Sequence, residues 1–205
     1  MLKGGANRGS YEAGAIYALV RNLPEEEVRY DVVSGVSVGA LNAAHISTYP
    51  KGKEMEMSTD LVALWTILTA GNLYQNWNWG IVQGLLFKNA IYDSTPLHEF
   101  ISEYFSNRTV HRLVHFNSVD AITGEIITFD ETVDKATFIK GLWGSTAVPF
   151  VFLPVPFGDR LLIDGGVAWN LDVASAVNKC RLLVDSDEKI HLDIIDVDRG
   201  VPLLE

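Results

Sequence analysis

Two hydrophobic rhythms alternate along the chain. Helical spacing places Ile16, Leu19, Val20 and Leu23 on one face of an early segment, and Leu61, Leu64, Trp65 and Leu68 on one face of 55–68. A shorter amphipathic helix is predicted over 96–104, and further helices over 130–141 and 172–180. Strand-like runs occupy 30–34, 113–120 and 125–129, the last two joined around Thr123-Gly124 as a hairpin. A second hairpin is predicted from 155–157 and 160–163 around Gly158-Asp159, and a last strand over 190–197. Strands alternate with helices early and give way to hairpins later. That order predicts an α/β fold with a central, mostly parallel or mixed sheet sandwiched by helices.

Three glycine-rich turns punctuate this pattern. Residues 30–44 read as an apolar strand, a turn Gly35-Val36-Ser37-Val38-Gly39 and a helix rich in small residues. The form G-x-S-x-G between strand and helix is that of a nucleophile elbow, which lifts a serine hydroxyl onto a sheet end at a helix N-terminus. There the helix offers backbone N–H groups and a positive dipole end to a developing oxyanion. The opening run Gly4-Gly5-Ala6-Asn7-Arg8-Gly9 precedes the first helix and reads three ways. It fits a tight strand-to-helix turn, a phosphate-cradling loop, or an oxyanion hole of bare amides. The phosphate reading lacks a Gly-Lys-Ser/Thr ending and the full dinucleotide fingerprint. The third turn, Asp164-Gly165-Gly166, follows the apolar run Leu161-Leu162-Ile163. Asp-Gly is a common turn dipeptide, but ligands of open α/β sheets also sit beyond the carboxyl ends of strands, where both Ser37 and Asp164 would lie.

Together these residues resemble the patatin-like phospholipase family, from about Leu2 to about Asp172. Members carry a G-G-G-x-R/K-G loop, a G-x-S-x-G nucleophile and a D-G-G/A acid, in the order found here. The segment Gly144-Ser145-Thr146-Ala147-Val148-Pro149 is similar to the family's S-x-A-x-P stretch before the acid strand. The resemblance implies a three-layer patatin-like fold and a lipid acyl hydrolase of the phospholipase A or lysophospholipase type. It implies Ser37 as nucleophile and Asp164 as its partner. Gly4, Gly5, Ala6, Arg8 and Gly9 would form the oxyanion loop, with Gly5 and Ala6 as amide donors, and Gly35, Gly39, Gly165 and Gly166 would support elbow and acid. It implies no metal and no cofactor. Two positions depart from the pattern. Ala6 stands where the family has a third glycine, which keeps the N–H but suits only a backbone without positive φ. Asp172 stands where the family often has proline, two residues after Asn170.

The implied mechanism is a Ser-Asp dyad that forms an acyl-enzyme, which water then hydrolyses. No histidine is needed, and the five present are His45, His98, His111, His115 and His191. His45 lies about two turns into the helix after Ser37, facing away from the elbow. His98 falls in the 96–104 helix, and His111 and His115 open a strand. Only His191 lies downstream of Asp164, where a Ser-Asp-His order places its base, and it opens the 190–197 strand. A Ser-His-Asp esterase and a non-catalytic lipid-binding domain of the same fold remain the alternatives.

Composition narrows the field. The chain has 205 residues with 48% hydrophobic content, enough for one substantial core, so one domain over 1–205 is expected. A net charge of −10 argues against nucleic acid and against electrostatic attraction to anionic membranes. No apolar run is long enough to span a bilayer, and no signal segment is evident. The lone Cys180 excludes an internal disulfide framework and a cysteine-based zinc site, and no carboxylate loop has EF-hand spacing. A cytoplasmic or peripheral membrane location and a lipid ester substrate at a membrane or micelle surface are expected. Contact with lipid would come from apolar residues, and 73–87, with Trp77 and Trp79 and no charge, is the best candidate; a lid and an insertion packed on the core are its other readings. Only three residues precede the glycine loop, and the chain is expected to be clipped at one or both ends.

Overall fold

A computed structural model describes residues 1–68 and 73–197. Its strands, among the described residues, are β1 (Val32–Gly35), β2 (Gln75–Asn76), β3 (Tyr92–Asp93), β4 (Leu113–Asp120), β5 (Ile126–Asp130), β6 (Val155–Phe157) and β7 (Arg160–Asp164). The helices are α1 (Gly9–Asn22), α2 (Glu25–Val28), α3 (Val38–Ser47), α4 (Glu54–Ile67), α5 (Gly80–Gln83), α6 (Thr95–Ser106), α7 (Lys135–Ser145) and α8 (Val173–Cys180). All strands but β2 and β3 form one mixed sheet, and those two make a separate antiparallel ribbon.

The central strand is β4. Its residues 115–119 pair antiparallel with β5 along one edge. The other edge is divided. β1 runs parallel along its first half, ending with Gly35 opposite Phe116. β7 runs antiparallel along its second half, ending with Asp164 opposite Ser118. Two strands therefore approach each other head to head along one edge of β4. Beyond β1, Leu2 donates its N–H to Ser34 O at 2.8 Å and accepts from Val36 N–H at 3.3 Å, a single-residue parallel bridge.

The core lies on one face of this sheet. Val33, Val114, Phe116, Phe129 and Leu162 are buried there, with Phe116 stacked on Phe129 and edge-on to Phe138 of α7. Helix α3 is buried almost all round, because the sheet lies on one side and α1 and α4 on the other. Gly39, Ala40, Ala43 and Ala44 let the three layers approach that closely. On the opposite face α8 crosses β1 and β4, over the buried polar side chains Ser34, His115 and Asn117.

The predicted α/β layers and both hairpins are present, with three corrections. The helix expected over 130–141 starts at Lys135, because Asp130 still pairs in β5 and Asp134 caps the helix by accepting the Ala136 and Thr137 N–H groups. It also runs through Gly141 to Ser145, and the Phe129 ring occupies the space a Cβ at Gly141 would need. The 190–197 strand is not formed. Ile195 alone bridges Leu2, its N–H donating to Met1 O at 2.9 Å and its carbonyl accepting from Lys3 N–H at 3.4 Å. His111 precedes β4, while His115 lies within it.

Candidate active site

The head-to-head meeting of β1 and β7 defines a gap, and Ser37 and Asp164 face it from opposite ends. Ser37 holds φ 57° and ψ −126°, a backbone conformation costly for any residue with a Cβ. The neighbours enforce it. A Cβ on Gly35 would lie 2.1 Å from Gly39 O, and one on Gly39 would lie 2.5 Å from Leu2 O. The turn therefore requires glycine on both sides, for close approach of the helix start in one case and of the N-terminal segment in the other. The Ser37 N–H is taken by Ser145 Oγ at 3.1 Å, so the end of α7 also pins the turn. The side chain stands at the N-terminus of α3, directly before its first turn.

Asp164 is buried and closes β7. Its N–H is bonded to Ala147 O at 2.9 Å, and its Oδ1 accepts the Gly166 N–H at 2.7 Å. Burial raises its carboxyl to about 6, and hydrogen bonds from the Ser37 side chain and Gly166 pull in the other direction without cancelling the shift. A carboxyl of that pKa is ionised at neutral pH yet basic enough to take a proton from a hydroxyl. Gly165 rests on β4, with Asn117 Oδ1 at 1.8 Å from where its Cβ would be. That contact fixes the height of the acid loop.

The glycine loop lies on the same gap. A Cβ on Gly4 would stand 3.0 Å from Ser37 Cβ and 2.3 Å from Asn170 Oδ1. Asn170, in the segment after the acid, donates Nδ2–H to Gly4 O at 3.1 Å, so the acid segment and the glycine loop hold each other. Ala6 adopts φ 51°, the left-handed region the departure from glycine makes costly. Arg8 is exposed and reaches Val197 O at 3.1 Å. Gly9 begins α1 against the Trp65 ring. Gly4, Gly35, Gly39, Gly165 and Gly166 thus border the gap or its supports, while Gly5 packs against Val197 and Arg8, and the Arg8 guanidinium reaches the Val197 carbonyl.

A buried network beneath the loop escaped the sequence reading. Glu12 of α1 accepts from Asn42 Nδ2 at 2.7 Å, the same amide reaches Gly9 O at 3.0 Å, and Trp65 Nε1–H donates to Asn42 Oδ1 at 2.8 Å. It ties the helix carrying the glycine loop to the helix carrying the elbow. Burial raises the Glu12 carboxyl to about 8. The signal was there: Glu12 lies one turn before Ile16, on the apolar face of α1, where a charged residue is rarely placed unless partnered.

Among the described residues, no histidine hydrogen-bonds Ser37 or Asp164. His45 is fully buried, 2.6 Å from Tyr104 Oη and 3.0 Å from Met57 O, and burial lowers it to about 4. His98 stacks on Trp143 and is likewise lowered to about 4. His115 points to the α8 face, and His191 is exposed. No described group of three or more His, Cys, Asp or Glu side chains is arranged to hold a metal ion.

Comparisons with known proteins bear on the family and the fold. A family model described as patatin-like phospholipase matches residues 1–177. The fold is similar to that of VipD from Legionella pneumophila, with a TM-score of 0.56 and 14% identity, over 83% of this chain and 46% of that one. The chain therefore spans less than half of the VipD chain it matches, and the likeness speaks to fold. No curated protein matches.

Proposed function

The chain belongs to the patatin-like phospholipase family, and from that premise we propose that it hydrolyses carboxylic esters of lipids, with Ser37 as nucleophile and Asp164 as its proton acceptor. The family supports lipid acyl hydrolase activity in general. The observation that carries the residue assignment is the head-to-head approach of β1 and β7, which sets a strained serine against a buried carboxyl of raised pKa.

The chemistry runs as two displacements. Asp164 takes the hydroxyl proton while Ser37 Oγ attacks the ester carbonyl carbon, giving a tetrahedral oxyanion. The backbone amides of Gly5 and Ala6, with the N-terminal turn of α3, stabilise that charge. The protonated Asp164 then gives its proton to the departing alcohol, and an acyl-serine remains. A water molecule, deprotonated by Asp164, attacks the acyl carbon; as the C–Oγ bond breaks Asp164 returns that proton to Ser37 Oγ, and the carboxylic acid is released with both residues restored. Asn170 and Ser145 act as positioning residues, the first on Gly4 and the second on the Ser37 backbone.

Intact-mass labelling with a fluorophosphonate tests this reading. One adduct on the native chain, absent from Ser37→Ala and strongly reduced in Asp164→Asn, is the expected result. Equal labelling of Asp164→Asn, or loss of labelling in a folded variant of any single histidine, would overturn the dyad.

A further inference from the structure

The segment after α4 separates charge from the rest of the molecule. Between Asp60 and Asp93 there is no acidic residue, and Lys88 is the one charged side chain, in a chain of net charge −10. Within this stretch α5 runs into a wider turn at Gly84–Lys88, which ends at Asn89 in the left-handed conformation. The ribbon β2–β3 closes the excursion. The two tryptophans take opposite roles. Trp77 is an anchor: its Nε1–H donates to Ala90 O at 2.9 Å and Lys88 Nζ sits 5.4 Å above its ring. Trp79 points outward and is 75% exposed, beside Leu86 at 71%, Phe87 at 68% and Val82 at 63%. A packed insertion would bury these groups.

This cap is joined to the chain that supports the gap. Ile91 N–H donates to Phe150 O at 2.9 Å and Tyr92 N–H to Val151 O at 3.0 Å. Phe150 is itself 81% exposed, at φ 66°. Its loop follows Ser145, whose hydroxyl holds the Ser37 N–H. The outward apolar groups thus sit on a segment hydrogen-bonded to the loop that leads away from the nucleophile's support.

We infer that the face formed by Trp79, Val82, Leu86 and Phe87 docks on a lipid bilayer, inserting into the boundary between head groups and acyl chains. Water leaves such a cluster of aromatic and aliphatic tips at a gain when it enters hydrocarbon, and tryptophan is suited to that boundary. Charge selects the face. A surface rich in phosphate repels an acidic protein, and this stretch is free of carboxylates and carries a lysine at its rim. The inference rests on the lipid-hydrolase reading for its purpose, but docking itself needs no turnover.

The test uses phosphatidylcholine vesicles and the whole chain with Ser37→Ala, so that binding is read without hydrolysis. Co-sedimentation should persist in about 1 M salt, because the contact is apolar. Trp79→Ser with Leu86→Ser and Phe87→Ser should weaken it by about tenfold or more. Vesicles of brominated lipid should quench tryptophan emission, and Trp79→Phe alone should remove most of the quench, a readout that does not depend on tolerance of the triple change. Binding lost in high salt, or unchanged in the triple variant, would overturn the inference. So would light scattering that finds a dimer in the parent and a monomer in the triple variant, which would make a second copy the occupant. With Ser37 restored, the triple variant should match the parent on a short monomeric ester and fall behind on vesicles. A parent that binds vesicles but cleaves neither ester would leave docking intact and refute the proposed activity. A parent that cleaves both, with the triple variant equal to it on vesicles, would refute docking and leave the activity.

Discussion

The elbow and the cap are built from the same materials and put them to opposite use. Both are glycine-punctuated apolar segments: 32–47 around Ser37, and 73–93 around Trp79. In the elbow nearly every residue from Val33 to Ser47 is buried, and the glycines exist because backbone lies where a Cβ would be. In the cap only Gly84 meets that condition, against Ala90 O, and Trp79, Val82, Leu86 and Phe87 face outward. Burial turns a glycine-rich segment into a holder for one strained hydroxyl. Exposure turns a similar composition into a surface whose complement lies outside the molecule. Perturbing the elbow should therefore act on chemistry and folding together, while perturbing the cap should act on neither until a lipid surface is present.

The largest effects belong to the gap itself. Ser37→Ala and Asp164→Asn should each lower turnover of a soluble ester by at least about 10³-fold, read by steady-state release of the alcohol. A cap variant as damaging on the same soluble ester would erase the contrast. In the native chain kcat/KM should rise with pH through about 6, since Asp164 must be ionised to accept the proton. A flat profile between pH 5 and pH 7, both values chosen to bracket that pKa to about one unit, would remove Asp164 from the base role.

Asp164→Asn should have a second consequence, of opposite sign. Burial raises the folded-state pKa of Asp164 above its ordinary value of 3.8, to about 6. Its contribution to stability is therefore complete below about pH 3.8 and is lost as pH rises through about 6. The ionised group is a cost to the fold at neutral pH, and the amide removes it. Thermal melting at about pH 7.5 should show Asp164→Asn more stable by about 1–3 kcal/mol. A less stable variant would show that the ionised carboxylate is a support of the elbow rather than a strain within it.

Glu12 offers a test of the ties beneath the elbow. Its folded-state pKa is raised from 4.5 to about 8 by burial, so stability from this group is lost as pH rises from about 4.5 through about 8. Glu12→Gln keeps the shape and the partner at Asn42 and should flatten that part of the stability profile. Glu12→Ala leaves the Asn42 amide with one partner fewer and should cost about 2–3 kcal/mol at pH 6. Equal melting curves for both variants would mean that the network does not bind α1 to α3.

What could be read in the sequence follows the same division. The elbow was legible because its requirement is local: a strand, two glycines and a helix of small residues specify the turn without knowledge of distant contacts. The pattern puts Ser37 and Asp164 at the carboxyl ends of strands, but their pairing as partners was legible only through resemblance to a family. Its physical origin, β1 and β7 sharing one edge of β4, is a matter of non-local register that no periodicity encodes. Gly141 misled, since a helix glycine reads as a stop until the Phe129 ring above it is known. The cap could be located by its missing charge but not oriented, because apolar spacing is the same for a packed insertion and an outward face. Glu12 was overlooked although its position on an apolar helix face marked it.

The smallest expected effect concerns Ala6, where the glycine loop departs from its family. Alanine at φ 51° pays roughly 1–2 kcal/mol for the left-handed conformation. Ala6→Gly removes that cost but frees the unfolded chain, which returns about 0.4–1 kcal/mol. The net should be a gain of about 0.5–1 kcal/mol, a rise in melting temperature of about 1–4 °C for a chain of this size. Turnover of a soluble ester should stay within about twofold, because the residue-6 N–H is kept and the donor role rests on backbone alone. A drop in melting temperature would mean that the Ala6 methyl makes contacts worth more than the strain. A large loss of turnover with unchanged melting would mean that the strained alanine holds the amide in place, and that the loop, like the serine it faces, depends on a conformation its neighbours impose.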